Sequence, residues 1–137
     1  MKKFVDTNVL VYAYDSAEPA KRERAREVIG DLWKYRSGAV SIQVLQEFYV
    51  TVTSKWKDRS DPVDGRAVVG TFADWSPYSP SASDVIDAID TSRSRDLSFW
   101  DGLIVVAARR SGCDVLLTED LNHGQVIDGV RIENPLL

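Results

Sequence analysis

Of the 137 residues, only one is cysteine and only one is histidine. A lone Cys113 excludes an intramolecular disulfide and fits a reducing compartment. A lone His123 argues against catalysis by a pair of histidines acting as acid and base. Long apolar runs are missing as well. The longest, Leu103 to Ala108, is far short of the ~20 residues a membrane-spanning helix needs. The segment Met1-Lys2-Lys3-Phe4 lacks the apolar stretch of a signal peptide, so the expected location is cytoplasmic, with no membrane partner. Repeats, low-complexity tracts and long linkers are absent. There is no excess of positive charge either: the formal net charge is −4, which argues against a broadly basic nucleic-acid binder.

What remains is a chain of ordinary globular composition, 44% hydrophobic and 28% charged, of a length that suits one domain over residues 1–137. Short apolar β-like runs alternate with helical patterns, the signature of a parallel sheet with crossover helices. Phe4-Val5 reads as a buried strand and Val9 to Tyr14 as a short helix, stopped by Asp15-Ser16-Ala17-Glu18-Pro19. A charged helix follows from Ala20 to Tyr35, with Ala25, Val28, Ile29 and Leu32 as its apolar stripe and Arg22, Arg24 and Arg26 on a solvated face. Ala39-Val40 reads as a second strand, and Ser41 as the cap of a helix presenting Val44, Leu45, Phe48, Val52 and Trp56. The β-branched run Val50 to Thr53 leaves strand open there as an alternative. Asp58 to Gly65 reads as turn, Arg66 to Asp74 as helix, and Trp75 to Ser79 as an edge strand, since Pro77 cannot donate to a ladder. Ser83 opens a helix through Asp90 that frays into Ser92-Arg93-Ser94-Arg95. Ser98 caps an apolar helix, Phe99 to Arg110, ended by Gly112. Asp114 to Leu117 and Val130 to Ile132 read as the last strands. The expected class is α/β, three-layer, around a central parallel sheet.

Four carboxylates stand out against this frame. Asp6 follows the first strand, Glu47 lies about two turns into the helix after the second, Asp101 is in the first turn of the helix opened by Ser98, and Asp120 lies just past Val115-Leu116-Leu117. Right-handed parallel connections bring successive strand ends to one edge of a sheet, the usual ligand site of open α/β folds. Four acids meeting there repel one another unless cations occupy the site, and hard oxygen-binding ions such as Mg²⁺ or Mn²⁺ are the remedy. Each acid alone has a plainer use: Asp6 as a helix cap, Asp101 as part of a capping arrangement with Ser98, Glu47 as a helix-surface residue, Asp120 as a turn residue. Setting four acids aside as ligands takes the 21 acidic residues to 17, equal to the 17 Lys plus Arg, so net charge does not exclude an anionic substrate reached through bound cations.

The joint pattern resembles the PIN-domain family. Phe-Val-Asp-Thr-Asn-Val-Leu at 4–10 is similar to its N-terminal signature, and Ser-Ile-Gln-Val-Leu-Gln-Glu-Phe at 41–48 to its second motif. Phe-Trp-Asp-Gly-Leu-Ile at 99–104 and Leu-Leu-Thr-Glu-Asp-Leu at 116–121 resemble the third and fourth. Within the family, the chain looks most like the VapC-type toxins of prokaryotic toxin–antitoxin pairs. The resemblance implies a metal-dependent endoribonuclease whose catalytic acids match Asp6, Glu47, Asp101 and Asp120, with Asn8 and Thr118 in supporting positions. Asp6 and Asp101 are the principal expected metal ligands, Glu47 and Asp120 the further ones, and the ion Mg²⁺ or Mn²⁺. It also implies an RNA substrate, a cognate antitoxin seated against the helices at 9–14 and 42–57, and a homodimer. There are two departures: Gly102 stands where Ala or another small residue is common, and Asn122 stands where some members carry a further Asp. The second leaves one-metal and two-metal chemistry both open. Arg93 and Arg95, flanking the approach to Asp101, are candidate RNA contacts, as is the stretch Lys55-Trp56-Lys57 with Arg59. Trp56 as core and solvated charges is the competing reading for the latter.

Two other readings stay open: a housekeeping RNA-processing PIN nuclease, and a PIN-like module that binds RNA or a partner without cutting. Other Asp-first chemistries fit poorly. A haloacid-dehalogenase-type phosphatase needs a second Asp where Asn8 stands, a receiver domain needs a late Lys that Thr118-Glu119-Asp120 lacks, and an EF-hand needs ligands where Val9 to Val11 are apolar.

Overall fold

A computed structural model describes residues 1–137 as α/β, with a five-stranded, mostly parallel sheet flanked by helices. In chain order the elements are β1 (Lys3–Val5), α1 (Thr7–Tyr12), α2 (Pro19–Tyr35), β2 (Gly38–Ala39), α3 (Ile42–Val50), α4 (Gly65–Phe72), α5 (Ala82–Arg95), α6 (Phe99–Arg110), β3 (Val115–Leu117), β4 (Val126–Ile127) and β5 (Val130–Glu133). The strands run in the order β2-β1-β3-β5-β4. β1 pairs in parallel with β2 and β3, and β3 in parallel with β5. Strands this short hold because they are buried: Phe4, Val5, Leu116, Leu117 and Ile132 are almost fully enclosed. α1 packs on α2 and α3, α3 on α4, and α5 lies along α6. The carboxyl ends of β1 and β3 lie side by side, register Val5 to Leu117, and the chain leaves both toward the same edge.

Several elements differ from the sequence expectation. The sheet is not wholly parallel, because β4 and β5 form an antiparallel hairpin. Asp128 and Gly129 turn it with φ of 49° and 84°, both in the left-handed region, as a two-residue hairpin turn requires. That Asp-Gly pair between Val126-Ile127 and Val130 was the signal for β4. β2 begins one residue earlier than read, at Gly38. A Cβ there would run into the Trp75 indole, so a side chain at this position would force that ring to move. Trp75 to Ser79 is not an edge strand. Ala73–Trp75 is a 3₁₀ turn, and only Tyr78 bridges the sheet edge, donating to the Val40 carbonyl at 3.0 Å and accepting from the Ile42 amide at 2.9 Å. α5 starts at Ala82, one residue before Ser83, because Ser81 caps it in a reciprocal capping box with Asp84, and it runs unbroken to Arg95. The helix begun by α3 continues past Val50 as a π-helical turn over Thr51–Lys55. Arg24 and Arg26 are tied down rather than merely solvated. They donate to the Leu136 and Ala13 carbonyls, both at 2.7 Å.

Candidate active site

Asp6 does two things at once. As N-cap of α1 it accepts from the Thr7 amide at 2.7 Å through Oδ1, which is the plain capping role. Its other oxygen, Oδ2, accepts from the fully buried Thr118 hydroxyl at 2.8 Å, just beyond the end of β3. The Thr118 oxygen in turn accepts from the Asn8 side-chain amide at 3.2 Å and from the Asp120 backbone amide at 3.1 Å. Asn8 closes the circuit by accepting from the Glu119 amide at 3.2 Å. Two parallel strand ends are thereby stitched together by Asp6, Asn8 and Thr118, and the backbone that carries Asp120 is held in place.

Glu47 reaches the same cleft from α3. Ser41 caps that helix, and the apolar stripe Val44, Leu45 and Phe48 buries its inner face. Glu47 is held by the Thr7 hydroxyl, which donates to Oε1 at 2.8 Å. Asp101 comes from the first turn of α6, whose N-cap Ser98 accepts from the Asp101 amide at 3.1 Å. Asp6, Glu47, Asp101 and Asp120 all line one cleft of about 560 Å³.

Two other acids, Glu119 beside this cleft and Asp15 in its lining, are neutralised in the ordinary way. Glu119 binds Lys21 at 2.8 Å and accepts from the Tyr12 hydroxyl at 2.9 Å, and Asp15 binds Arg59 at 2.7 Å. The four acids named above have no lysine, arginine or histidine partner. Burial pushes the Asp6 carboxyl up to about 7, against the lowering effect of its hydrogen bonds to Thr118 and Thr7, with the charges of Asp120 and Glu47 adding to the rise. Asp101 is raised by burial and by the same two neighbours. A buried carboxyl held near neutrality among like charges is what a bound cation relieves.

The donor set is all oxygen and anionic, which fits Mg²⁺ or Mn²⁺ rather than a thiolate- or imidazole-seeking metal. No three of the acids stand close enough to enclose an ion as a protein-only cage. Mg²⁺, which keeps several waters and takes one or two protein carboxylates plus substrate phosphate, suits such an open arrangement.

Arg93 and Arg95 do not line the cleft. Both are exposed on α5, and Arg95 sits 3.5 Å from Asp128. His123 is likewise outside, its Nδ1 accepting from the Asn134 amide at 3.0 Å. Asn122 is exposed and also outside the cleft. Burial pushes the Cys113 thiol up to about 11, leaving it protonated and inert. Trp33 and Trp75 form an aromatic cluster with Phe72, ring centroids 4.9 to 5.6 Å apart, whereas Trp56 lines the cleft and Trp100 lines it with 60% of its surface exposed.

Gly102 has a local reason: a Cβ there would stand 2.7 Å from the Ala88 carbonyl oxygen, so α5 and α6 can approach only over a glycine. Sequence reasoning missed Thr7 as the anchor of Glu47, and it missed Gln43. That residue lines the cleft, is 7% exposed, and neither polar atom of its side-chain amide has a partner. The available signal was the recurrence of Gln43, Glu47, Val50 and Thr51 at helical spacing along one face.

Comparison with curated proteins gives no match. The family model described as the PIN domain matches residues 3–127, from β1 to the end of β4 and across all four acids. Together with the α/β fold, that match establishes that the chain belongs to the PIN-domain family.

Proposed function

We propose that the protein is a Mg²⁺- or Mn²⁺-dependent endoribonuclease, the toxin of a type II toxin–antitoxin pair of the VapC type. PIN domains are in general metal-dependent nucleases. The observation that carries the proposal is the set of four carboxylates from four separate segments, lining one cleft without a single basic partner. A merely structural acid cluster would cost stability unless paired, as Glu119 and Asp15 are. That cost argues for a retained catalytic set and against the reading as a non-catalytic binding module.

In this reading Asp6 and Asp101 are the principal ligands, with Glu47 and Asp120 completing the set. A divalent cation bound there supplies Lewis acidity toward the scissile phosphodiester. The chain's own contribution is orientation. Thr118 fixes the Asp6 carboxylate through Oδ2, the Thr7 amide fixes it through Oδ1, and the Thr7 hydroxyl fixes Glu47. Asn8 holds the β3 exit so that Asp120 stays over the cleft. Asp101, in the first turn of α6, lies at the positive end of the helix dipole, which favours its ionised form against the burial that disfavours it. With no paired histidines and a protonated Cys113, hydrolysis by activated water is the chemistry the side chains support.

A cytotoxic nuclease requires restraint, so a cognate antitoxin belongs to this proposal, seated against α1 and α3 beside the acids. The homodimer and the cytoplasmic site of action belong to it too. No helix is long and apolar enough to cross a membrane.

The test is to compare the wild type with Asp6→Asn and Asp101→Asn, both for growth arrest on expression and for Mn²⁺- or Mg²⁺-dependent cleavage of single-stranded RNA. Loss of both activities in each variant is expected. Survival of both refutes the catalytic assignment. Cleavage without growth arrest favours the housekeeping RNA-processing nuclease over the toxin.

A further inference from the structure

We propose that Lys55 grips a phosphate of single-stranded RNA next to the scissile one, and that the π-helical turn after α3 exists to aim it. The inference rests on the nuclease reading above. Thr51, Val52 and Thr53 crowd the end of the helix, and two of them turn their hydroxyls back on it. Thr51 Oγ1 donates to the Glu47 carbonyl at 2.9 Å, and Thr53 Oγ1 to the Tyr49 carbonyl at 2.6 Å. Such back-bonding bends and loosens a helix. Here the turn widens, and the Trp56 amide donates to the Thr51 carbonyl at 3.1 Å, five residues back.

The widening has a rotational consequence. In an unbroken α-helix, eight steps of about 100° would leave Lys55 about 80° round the axis from Glu47. Reducing the last four steps to the roughly 82° of an i→i+5 turn brings Lys55 within about 10° of Glu47. Lys55 therefore faces the cleft with Glu47, roughly 11 Å further along the helix. That reach is too far for the phosphate under attack and suits a neighbouring one.

Charge points the same way. Lys55 is the only basic residue lining a cleft to which Asp6, Asp15, Glu47, Asp101 and Asp120 all contribute, and it forms no ion pair. Lys21 and Arg59, the other cations nearby, are committed to Glu119 and Asp15. The chain beyond Lys55 is anchored, with the Arg59 guanidinium 3.8 Å over the Trp56 ring while it binds Asp15. A lysine held at a fixed bearing and unpaired in an acidic cleft is placed for an anionic group brought by the substrate.

The experiment measures binding of a fluorescent single-stranded oligoribonucleotide in Mg²⁺ across a salt series, with cleavage blocked by Asp101→Asn throughout. Lys55→Ala is expected to weaken binding about five- to tenfold. The log–log salt slope is expected to fall by about 0.7, the contribution of one phosphate contact on a single strand. Lys55→Arg is expected to restore both, and the thermal midpoint to stay unchanged because Lys55 is exposed. Equal affinity and slope in Lys55→Ala, with the parent binding RNA, overturn the inference and leave the nuclease reading intact. A parent that binds no RNA, with a wild type that cleaves none, overturns both.

Discussion

Replacing Asp6 by Asn removes the acid at the centre of the proposed site, and it should make the metal-free protein more stable. In the folded chain burial lifts the Asp6 carboxyl to about 7, from an ordinary value of 3.8. A raised carboxylate pKa means that the folded state holds its proton more tightly than the unfolded chain does. The stability this provides is complete below about pH 3.8 and is lost as the pH rises through about 7. A shift of about three units corresponds to about 4 kcal/mol of penalty at pH 8, falling to about 0.5 kcal/mol at pH 4. Asn carries no charge to desolvate, but its amide cannot accept from Thr118 at the position of Oδ2, which costs about 1 kcal/mol at either pH. In a chelator at pH 8, Asp6→Asn should therefore be about 3 kcal/mol more stable than wild type, a gain of about 10 °C in melting temperature. At pH 4 the gain should vanish. Calorimetry or urea denaturation at the two pH values measures it, and adding Mn²⁺ at pH 8 should raise the melting temperature of the wild type alone. An advantage of equal size at both pH values, or a less stable variant at pH 8, refutes the claim that buried charge at Asp6 is what a cation relieves.

Gly102→Ala should cost about 1–3 kcal/mol, because its Cβ would meet the Ala88 carbonyl at 2.7 Å and force α5 and α6 apart. Since Asp101 is its neighbour, RNA cleavage should fall as well, and thermal denaturation with a kinetic assay checks both. Gln43→Leu should stabilise the free protein by about 1–3 kcal/mol, because it replaces an amide whose two polar atoms are buried without partners. A lower melting temperature for this variant would show that the amide is satisfied in solution.

Much of the organisation was legible in the sequence, for local reasons. The alternation of buried runs such as Phe4-Val5 and Val115-Leu116-Leu117 with amphipathic stretches follows from burial and hydrophobic periodicity, and it specifies α/β without reference to the rest of the chain. Ser41 and Ser98 announce helix starts because a cap needs only its own next turn. β4 was missed because two residues carry no periodicity, although Asp128-Gly129 marked the turn. The π-helical turn was missed because it depends on which carbonyls the Thr51 and Thr53 hydroxyls select.

The sequence by itself determined which residues are acids, which strand or helix each belongs to, and that several strands leave the sheet on one side. Only the tertiary structure decided which acids stay unpaired. Glu119 and Asp120 are neighbours in the chain, yet Lys21 reaches back from α2 to neutralise the first and no cation reaches the second. Arg95 lies six residues before Asp101 but turns to Asp128, while Lys55, 46 residues away from Asp101, faces the same cleft. The fate of a surface charge depends on groups brought near by the fold, and the spacing of residues along the chain does not encode those distances.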